Sequence, residues 1–218
     1  MSNEFFNDYI NALRKNLHKP LPGDESQRRM APAVRARLLN HSKPDEKTKI
    51  SAVLLPIFPN NGDPTLVFIK RQTYDGFHSG QIAFPGGKKD KTDNTLLETA
   101  LRETWEEVGI VQESVTILGT LTPLFIPVSN HLVLPVVGVV WTKPQFYPSL
   151  QEVEYIIEVP ICKLVQPDSR TVKTLVLDNE PVSTPYFKWD KEMIWGATAM
   201  ILAEFTDISP IIPCQNHV

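Results

Sequence analysis

The sequence predicts an α/β fold with an N-terminal helical extension. Short apolar runs bounded by turn residues recur from Ser51 to Lys188. Helical periodicity appears over residues 4–17, 95–108 and 189–205. No internal repeat or low-complexity segment interrupts this alternation. Strands separated by helices in this way fit a sheet covered by helices rather than an all-β or all-helical chain.

Each element has a local reason. Phe5, Phe6, Tyr9, Ile10, Leu13 and Leu17 recur at helical spacing, which predicts an amphipathic helix over residues 4–17. Its polar face is poor in Lys and Arg, so it is read as packing on the domain or on a second subunit, with a homodimer one outcome, and not on a membrane. Residues 19–33 contain Pro20, Pro22, Gly23 and Pro32 and read as an arm, while residues 40–48 read as a polar loop. Ser51–Phe58 and Thr65–Lys70 read as strands joined through Asn60–Asn61–Gly62–Asp63, a hairpin signal. Thr95-x-x-Glu98 is a capping box that opens a helix, and Gly109 stops it. Ser114–Leu121 and Leu132–Trp141 follow as strands, with Pro135 placing the second at an edge or a bulge. Tyr155–Val159 is another strand, and Pro160 opens a short turn or helix. Thr171–Leu177 and Thr184–Lys188 pair around residues 178–181, and the last helix covers Trp189–Phe205.

Composition narrows the classes. At 218 residues with 42% hydrophobic and 22% charged residues, the chain fits one domain with an extension. A net charge of −3 and no long basic run argue against nucleic acid as a bulk partner. Arg28, Arg29, Arg35 and Arg37 cluster, and a solvated face is the simpler reading of them. Cys162 and Cys214 sit in no metal or redox spacing, so the default compartment is reducing and cytoplasmic. No apolar run reaches the roughly 20 residues that span a bilayer, and Met1–Glu4 does not open a signal peptide.

The chemistry concentrates between Phe84 and Ile110. Phe84–Pro85–Gly86–Gly87 places a glycine turn ahead of a helix carrying Arg102, Glu103, Glu106 and Glu107. Spacing of i, i+3 and i+4 puts the three carboxylates on one side of that helix, apart from the apolar stripe Leu97, Leu101, Thr104 and Val108. Carboxylates so close repel each other, and a divalent cation is the natural counter-charge. Hard oxygen donors suit Mg²⁺ or Mn²⁺, which also hold phosphates. The glycines let a phosphate approach the backbone. The simpler alternative is a solvated acidic face.

These residues resemble the signature of the Nudix hydrolases, which cleave nucleoside diphosphates linked to another group. That signature runs Gly, five residues, Glu, seven residues, then Arg-Glu-apolar-any-Glu-Glu-any-Gly-apolar. Here Gly87 is followed by five residues and Asp93, then by eight residues before Arg102, and Thr104 stands where an aliphatic residue is usual. This form is similar to that of the coenzyme A pyrophosphatases. So are Phe68–Arg71 followed by His78–Gly87, Leu134–Gly138, Glu152–Val153 leading to Glu158–Pro160, and Ile194–Ala199. Gln72 and Thr73 depart from that pattern, which prefers small residues after the arginine, and so do Gly76 and Phe77, one of which stands where a basic residue is usual.

The resemblance implies an α/β/α sandwich with a mixed sheet, bounded as an N-terminal helix and arm (1–45), a Nudix domain (46–210) and a C-terminal tail (211–218). It implies Mg²⁺- or Mn²⁺-dependent hydrolysis of coenzyme A or a derivative to 3′,5′-ADP and 4′-phosphopantetheine, with another nucleoside diphosphate derivative or a silent nucleotide sensor as alternatives. Glu103, Glu106 and Glu107 are then the metal ligands, and Arg102 supports helix and loop through a salt bridge. Asp93 fixes the loop to the helix start. Glu152 is the distant candidate for the general base, with Glu154 its competitor. Arg71, His78, Gly86 and Gly87 are the candidates for binding substrate phosphates.

Overall fold

Asn61 and Gly62 both take positive φ, 51° and 90°, the backbone of a tight two-residue turn. They fold β1 (Lys49–Asn60) back on β2 (Asp63–Arg71). The computed structural model describes residues 2–33, 43–73, 80–177 and 179–215. His78, Arg35 and Arg37 lie outside the described residues.

The two hairpin strands stay paired only from Ile57↔Leu66 to the turn. Beyond it they part, and the chain fills the wedge itself. β3 (Ile82–Ala83) pairs with β2, and β4 (Gly86–Lys88) pairs with β1. Outside the wedge, β8 (Val153–Pro160) adds antiparallel to β2. On its other side β1 runs parallel to β7 (His131–Val140), from Lys49↔His131 to Ile57↔Val139. β7 in turn pairs with β6 (Leu124–Ile126) at its start and with β5 (Val115–Thr120) at its end. The eight strands make one mixed sheet.

Pro135 was expected at an edge or bulge, yet β7 is an interior strand. The proline sits where β7 changes partner from β6 to β5, a gap in the ladder where an N–H is not missed. Its carbonyl still accepts from Leu121 N at 2.9 Å.

α3 (Leu96–Val108) covers one face of the sheet. Thr95 Oγ1 accepts from Glu98 N at 3.2 Å, and Glu98 reaches back to Asn94 N at 2.7 Å, one residue earlier than a standard capping box. Gly109 closes the helix at φ 78°. Ala100 packs on Ala52, Leu54 and Val136 beneath it. Thr104, the departure from the aliphatic norm, is buried and donates to Ala100 O at 2.7 Å, so its hydroxyl is satisfied inside the helix.

The opposite face carries the larger core. α1 (Ser2–Leu17) buries Phe6, Tyr9, Ile10 and Leu13 there. Each such side chain gains about 2 kcal/mol gross on leaving water. Tyr9 Oη and Ser209 Oγ meet at 2.7 Å, and Asn16 Nδ2 donates to Ile208 O at 2.8 Å. Of the two readings of this helix, packing on the domain is the one observed. The arm that follows is not irregular throughout. It contains α2 (Asp24–Arg29), clamped to α5 (Gly196–Ile208) through Gln27, whose Nε2 donates to Glu204 Oε2 at 2.8 Å. Arg28 pairs with Asp24 at 2.5 Å and Arg29 pairs with Asp207, so these two arginines are structural.

Past α4 (Ile161–Leu164), β9 (Arg170–Leu177), β10 (Glu180–Trp189) and β11 (Glu192–Trp195) form a second, antiparallel sheet. The expected helix over Trp189–Phe205 therefore begins as strand and is helical only from Gly196. Asp190 turns the chain at φ 50°, and α5 starts only at Gly196, φ 64°. Cys162 and Cys214 are joined in a disulfide, a pairing that the reducing default did not anticipate. Among the described residues no helix is long and apolar enough to cross a membrane.

Candidate functional site

The wedge between β1 and β2 positions everything of chemical interest. Gly86 has φ 150°, and a Cβ there would stand 2.4 Å from Ala52 O and 2.5 Å from Val53 Cα. Only glycine lets β4 lie this close to β1. At Gly87 a Cβ would meet Glu103 Oε2 at 2.3 Å, so the bare backbone leaves room for that carboxylate.

Glu107 is 1% exposed. Its Oε2 accepts from Gly86 N at 2.7 Å, and its Oε1 lies 3.5 Å from Arg71 Nη2. Arg71 also donates to Gly86 O at 3.0 Å. Burial pushes the Glu107 carboxyl up to about 7, against the opposing pull of Arg71 and the Gly86 N–H. Glu103 is half-buried and raised for the same first reason, although Arg102 at 2.9 Å pulls it down. Two carboxyls that resist ionisation side by side are a site short of positive charge.

Arg102 is the strut of this loop. Its Nε and Nη2 grip Asp93 in a two-pronged pair, both at 2.9 Å, and Nη2 also donates to Lys88 O at 3.2 Å. Nη1 holds Glu106 at 3.0 Å. Arg102, first among its hydrogen-bond partners, holds the Asp93 carboxyl well below the usual range, with Asp90 N and Thr99 Oγ1 adding to the effect. Asp93 therefore faces the loop and the helix start.

Glu152 sits on the loop before β8 and is exposed. The loop is fixed by its backbone. Tyr147 N donates to Val108 O at 2.9 Å, Ser149 N to Glu107 O at 3.0 Å, and Gln72 N to Glu152 O at 2.9 Å. The negative charge of Glu152 is felt at both Glu103 and Glu107 and adds to the raising. The charge of Glu154 is felt instead at Tyr155, which donates to Glu192 at 2.8 Å.

On the other side of β4 opens a cavity of about 620 Å³. It shares Arg71, Gly86 and Gly87 with the carboxylate cluster and continues over Val53, Phe84 and Ile201. Its remaining polar lining includes Gln81 and Thr198, which lie in the motif segments, and Lys49, Ser51, Lys88, Ser129, Asn130 and His131, which sequence reasoning missed. Only the alternation of Lys49, Ser51 and Val53 toward one face hinted at it.

The structure thus brings together Arg71, Gly86, Gly87, Arg102, Glu103, Glu106 and Glu107, with the charge of Glu152 felt at Glu103 and Glu107. As to a cation, the donor chemistry of Glu103 and Glu107 fits a hard divalent ion, since both are raised carboxyls beside bare glycine backbone. Glu106 is turned to Arg102. Among the described residues no three acidic, His or Cys side chains converge as a finished cage.

The NUDIX domain family matches residues 48–163. The chain belongs to the Nudix hydrolases. It is 37% identical over 161 residues to the uncharacterized Nudix hydrolase NudL of Pectobacterium atrosepticum, covering 73% of this chain and 82% of that protein. It is 32% identical over 205 residues to the NudL of Yersinia pestis, covering 93% and 94%. A Nudix hydrolase of M. smegmatis, RenU, has the same fold at TM-score 0.53 and 15% identity, over 78% of this chain and 90% of that one. The α/β/α sandwich with a mixed sheet is the Nudix fold, and the enzyme is a pyrophosphohydrolase. Nudix hydrolases act on small nucleoside diphosphate derivatives and generally use divalent metals such as Mg²⁺ or Mn²⁺.

Proposed function

We propose that this Nudix hydrolase cleaves the pyrophosphate bond of coenzyme A or a derivative, giving 3′,5′-ADP and a 4′-phosphopantetheine compound. The observation that carries the chemistry is Glu107, buried, raised to about 7 and hydrogen-bonded to the same glycine backbone that borders a 620 Å³ cavity. The coenzyme A class is supported by the resemblance from Phe68 through Gly87 to Ala199.

Glu103 and Glu107 would hold the cation, with Glu106 joining once it is released from Arg102. A bound Mg²⁺ or Mn²⁺ neutralises diphosphate charge and lowers the pKa of a water. Gly86 and Gly87 let the diphosphate lie against β4, and Arg71 pairs with one of its oxygens. Glu152 accepts a proton from the attacking water. The new P–O bond forms as the bond from that phosphorus to the bridging oxygen breaks, and the leaving phosphate takes that electron pair. Arg102 holds loop and helix in register through Asp93. The role of His78 in phosphate binding is retained from the sequence pattern.

The test is turnover of coenzyme A, ADP-ribose, NADH and dGTP at equal concentration with Mg²⁺ or Mn²⁺, with products resolved by mass. Release of 3′,5′-ADP from coenzyme A, lost in Glu107→Gln, is the expected result. Cleavage of ADP-ribose or NADH in place of coenzyme A overturns the substrate assignment and leaves the carboxylate roles standing.

A further inference from the structure

The cavity side of β4 has a charge problem opposite to that of the carboxylate side. Lys49, Ser51 and Val53 alternate onto one face of β1. β4 sets Lys88 directly across from Ser51, and β7 sets His131 across from Lys49. Directly paired residues share a face, so both lysines and His131 surround Ser51 at the end of the cavity. All of them line it. Neither lysine makes an ion pair among the described residues, and no Asp or Glu is among the described residues lining the cavity.

Two buried polar atoms in the same wall, Ser129 Oγ and His131 Nδ1, have no side-chain hydrogen-bond partner among the described residues. Such a group costs on the order of 1–3 kcal/mol if nothing satisfies it. Burial holds the His131 imidazole below its ordinary pKa against the opposing pull of the Ser129 backbone, and the charges of Lys49 and Lys88 add to the lowering. The lysines are thus close enough for His131 to feel them. Cations with no ion pair among the described residues, beside a hydroxyl and an imidazole that can donate, match one ligand chemistry, an oxyanion with several acceptor oxygens.

We propose that Lys49, Lys88, Ser129 and His131 form a subsite for a phosphate monoester on the substrate, separate from the diphosphate at Arg71 and Gly86–Gly87. The assignment rests on the coenzyme A reading, because coenzyme A carries such a group on its ribose. Ser129 Oγ–H and His131 Nδ1–H donate to phosphate oxygens, and the two lysines balance a group of charge near −2. The subsite makes the enzyme discriminate by a group remote from the bond it breaks.

The experiment compares kcat/KM for coenzyme A and for dephospho-coenzyme A, which lacks only that phosphate. Wild type is expected to favour coenzyme A at least tenfold. Lys49→Ala and Lys88→Ala each lower that ratio at least fivefold through the KM for coenzyme A, while Lys89→Ala, outside the cavity lining, leaves the ratio unchanged. In parallel, calorimetry on Glu107→Gln protein measures 3′,5′-ADP against 5′-AMP. Tighter binding of 3′,5′-ADP, lost on adding Lys49→Ala, supports the subsite even if coenzyme A is not cleaved, and in that case only the substrate assignment falls. Equal handling of the two coenzymes by wild type, or a preference that survives both lysine changes, overturns the subsite while the substrate assignment stands.

Discussion

Two glutamates are buried among the described residues, and their surroundings could hardly differ more. Glu204 on α5 is fully buried and accepts three hydrogen bonds: Gln27 Nε2 at 2.8 Å, Thr122 Oγ1 at 2.6 Å and Thr122 N at 3.1 Å. Those bonds tie the N-terminal arm and the connection between β5 and β6 to α5. Glu107 on α3, equally inaccessible, has one good donor in Gly86 N and an arginine only at 3.5 Å. A saturated carboxylate is a rivet. An undersupplied one is waiting for a ligand, and its carboxyl is pushed up to about 7 in the meantime.

The largest test of this contrast is Glu107→Gln. It should lower kcat by about 10³-fold or more, roughly 4 kcal/mol of barrier, with an unchanged far-UV spectrum. Retained activity would move Glu107 into the rivet class. Next is Glu204→Ala, which strands Thr122 N in the interior and removes one of the two acceptors of Gln27 Nε2, leaving it Thr122 O. It should cost about 2–4 kcal/mol in urea unfolding while leaving kcat within about twofold below the transition. A loss of rate without a loss of stability would break the comparison from the other end.

The pH response sharpens it further. The ordinary Glu107 value is 4.5 and the folded one about 7, so the folded protein holds this proton more tightly than the unfolded chain does. In cation-free protein the resulting stability is fully present below pH 4.5 and is lost as pH rises through about 7, at most about 3 kcal/mol. Urea midpoints across that window should show a larger loss in wild type than in Glu107→Gln, where only the raised Glu103 carboxyl remains. The smallest effect is thermal. Mg²⁺ at about a hundredfold excess over its Kd should raise the wild-type Tm by about 5 °C. Glu204→Ala should respond equally and Glu107→Gln should not respond.

The same contrast explains what could be read in advance. Thr95, Gly109 and the Asn61–Gly62 turn are local signals, and each governs the turn it occupies. The acids of α3 were legible because a helix fixes their relative positions without outside help. The six residues of α2 carry no such signal, since their helix is held by Glu204 and Asp207 far along the chain. The strand at Glu192–Trp195 was read as helix because a short apolar run fits either period, and its pairing with Tyr186–Trp189 decides it. Lys49, Lys88 and His131 are unremarkable along the sequence. Strand register alone brings them together.

The Cys162–Cys214 bridge spans 52 positions and encloses the whole second sheet and α5 in a covalent loop. Lys191 lies in the exposed turn between β10 and β11, inside that loop. A protease that cuts there leaves two pieces that still migrate as one species on a denaturing gel, separating only when a thiol is added. Gel purity without reductant is therefore blind to nicking in the segment that carries the second sheet and that closes the cavity with Ala197, Thr198 and Ile201.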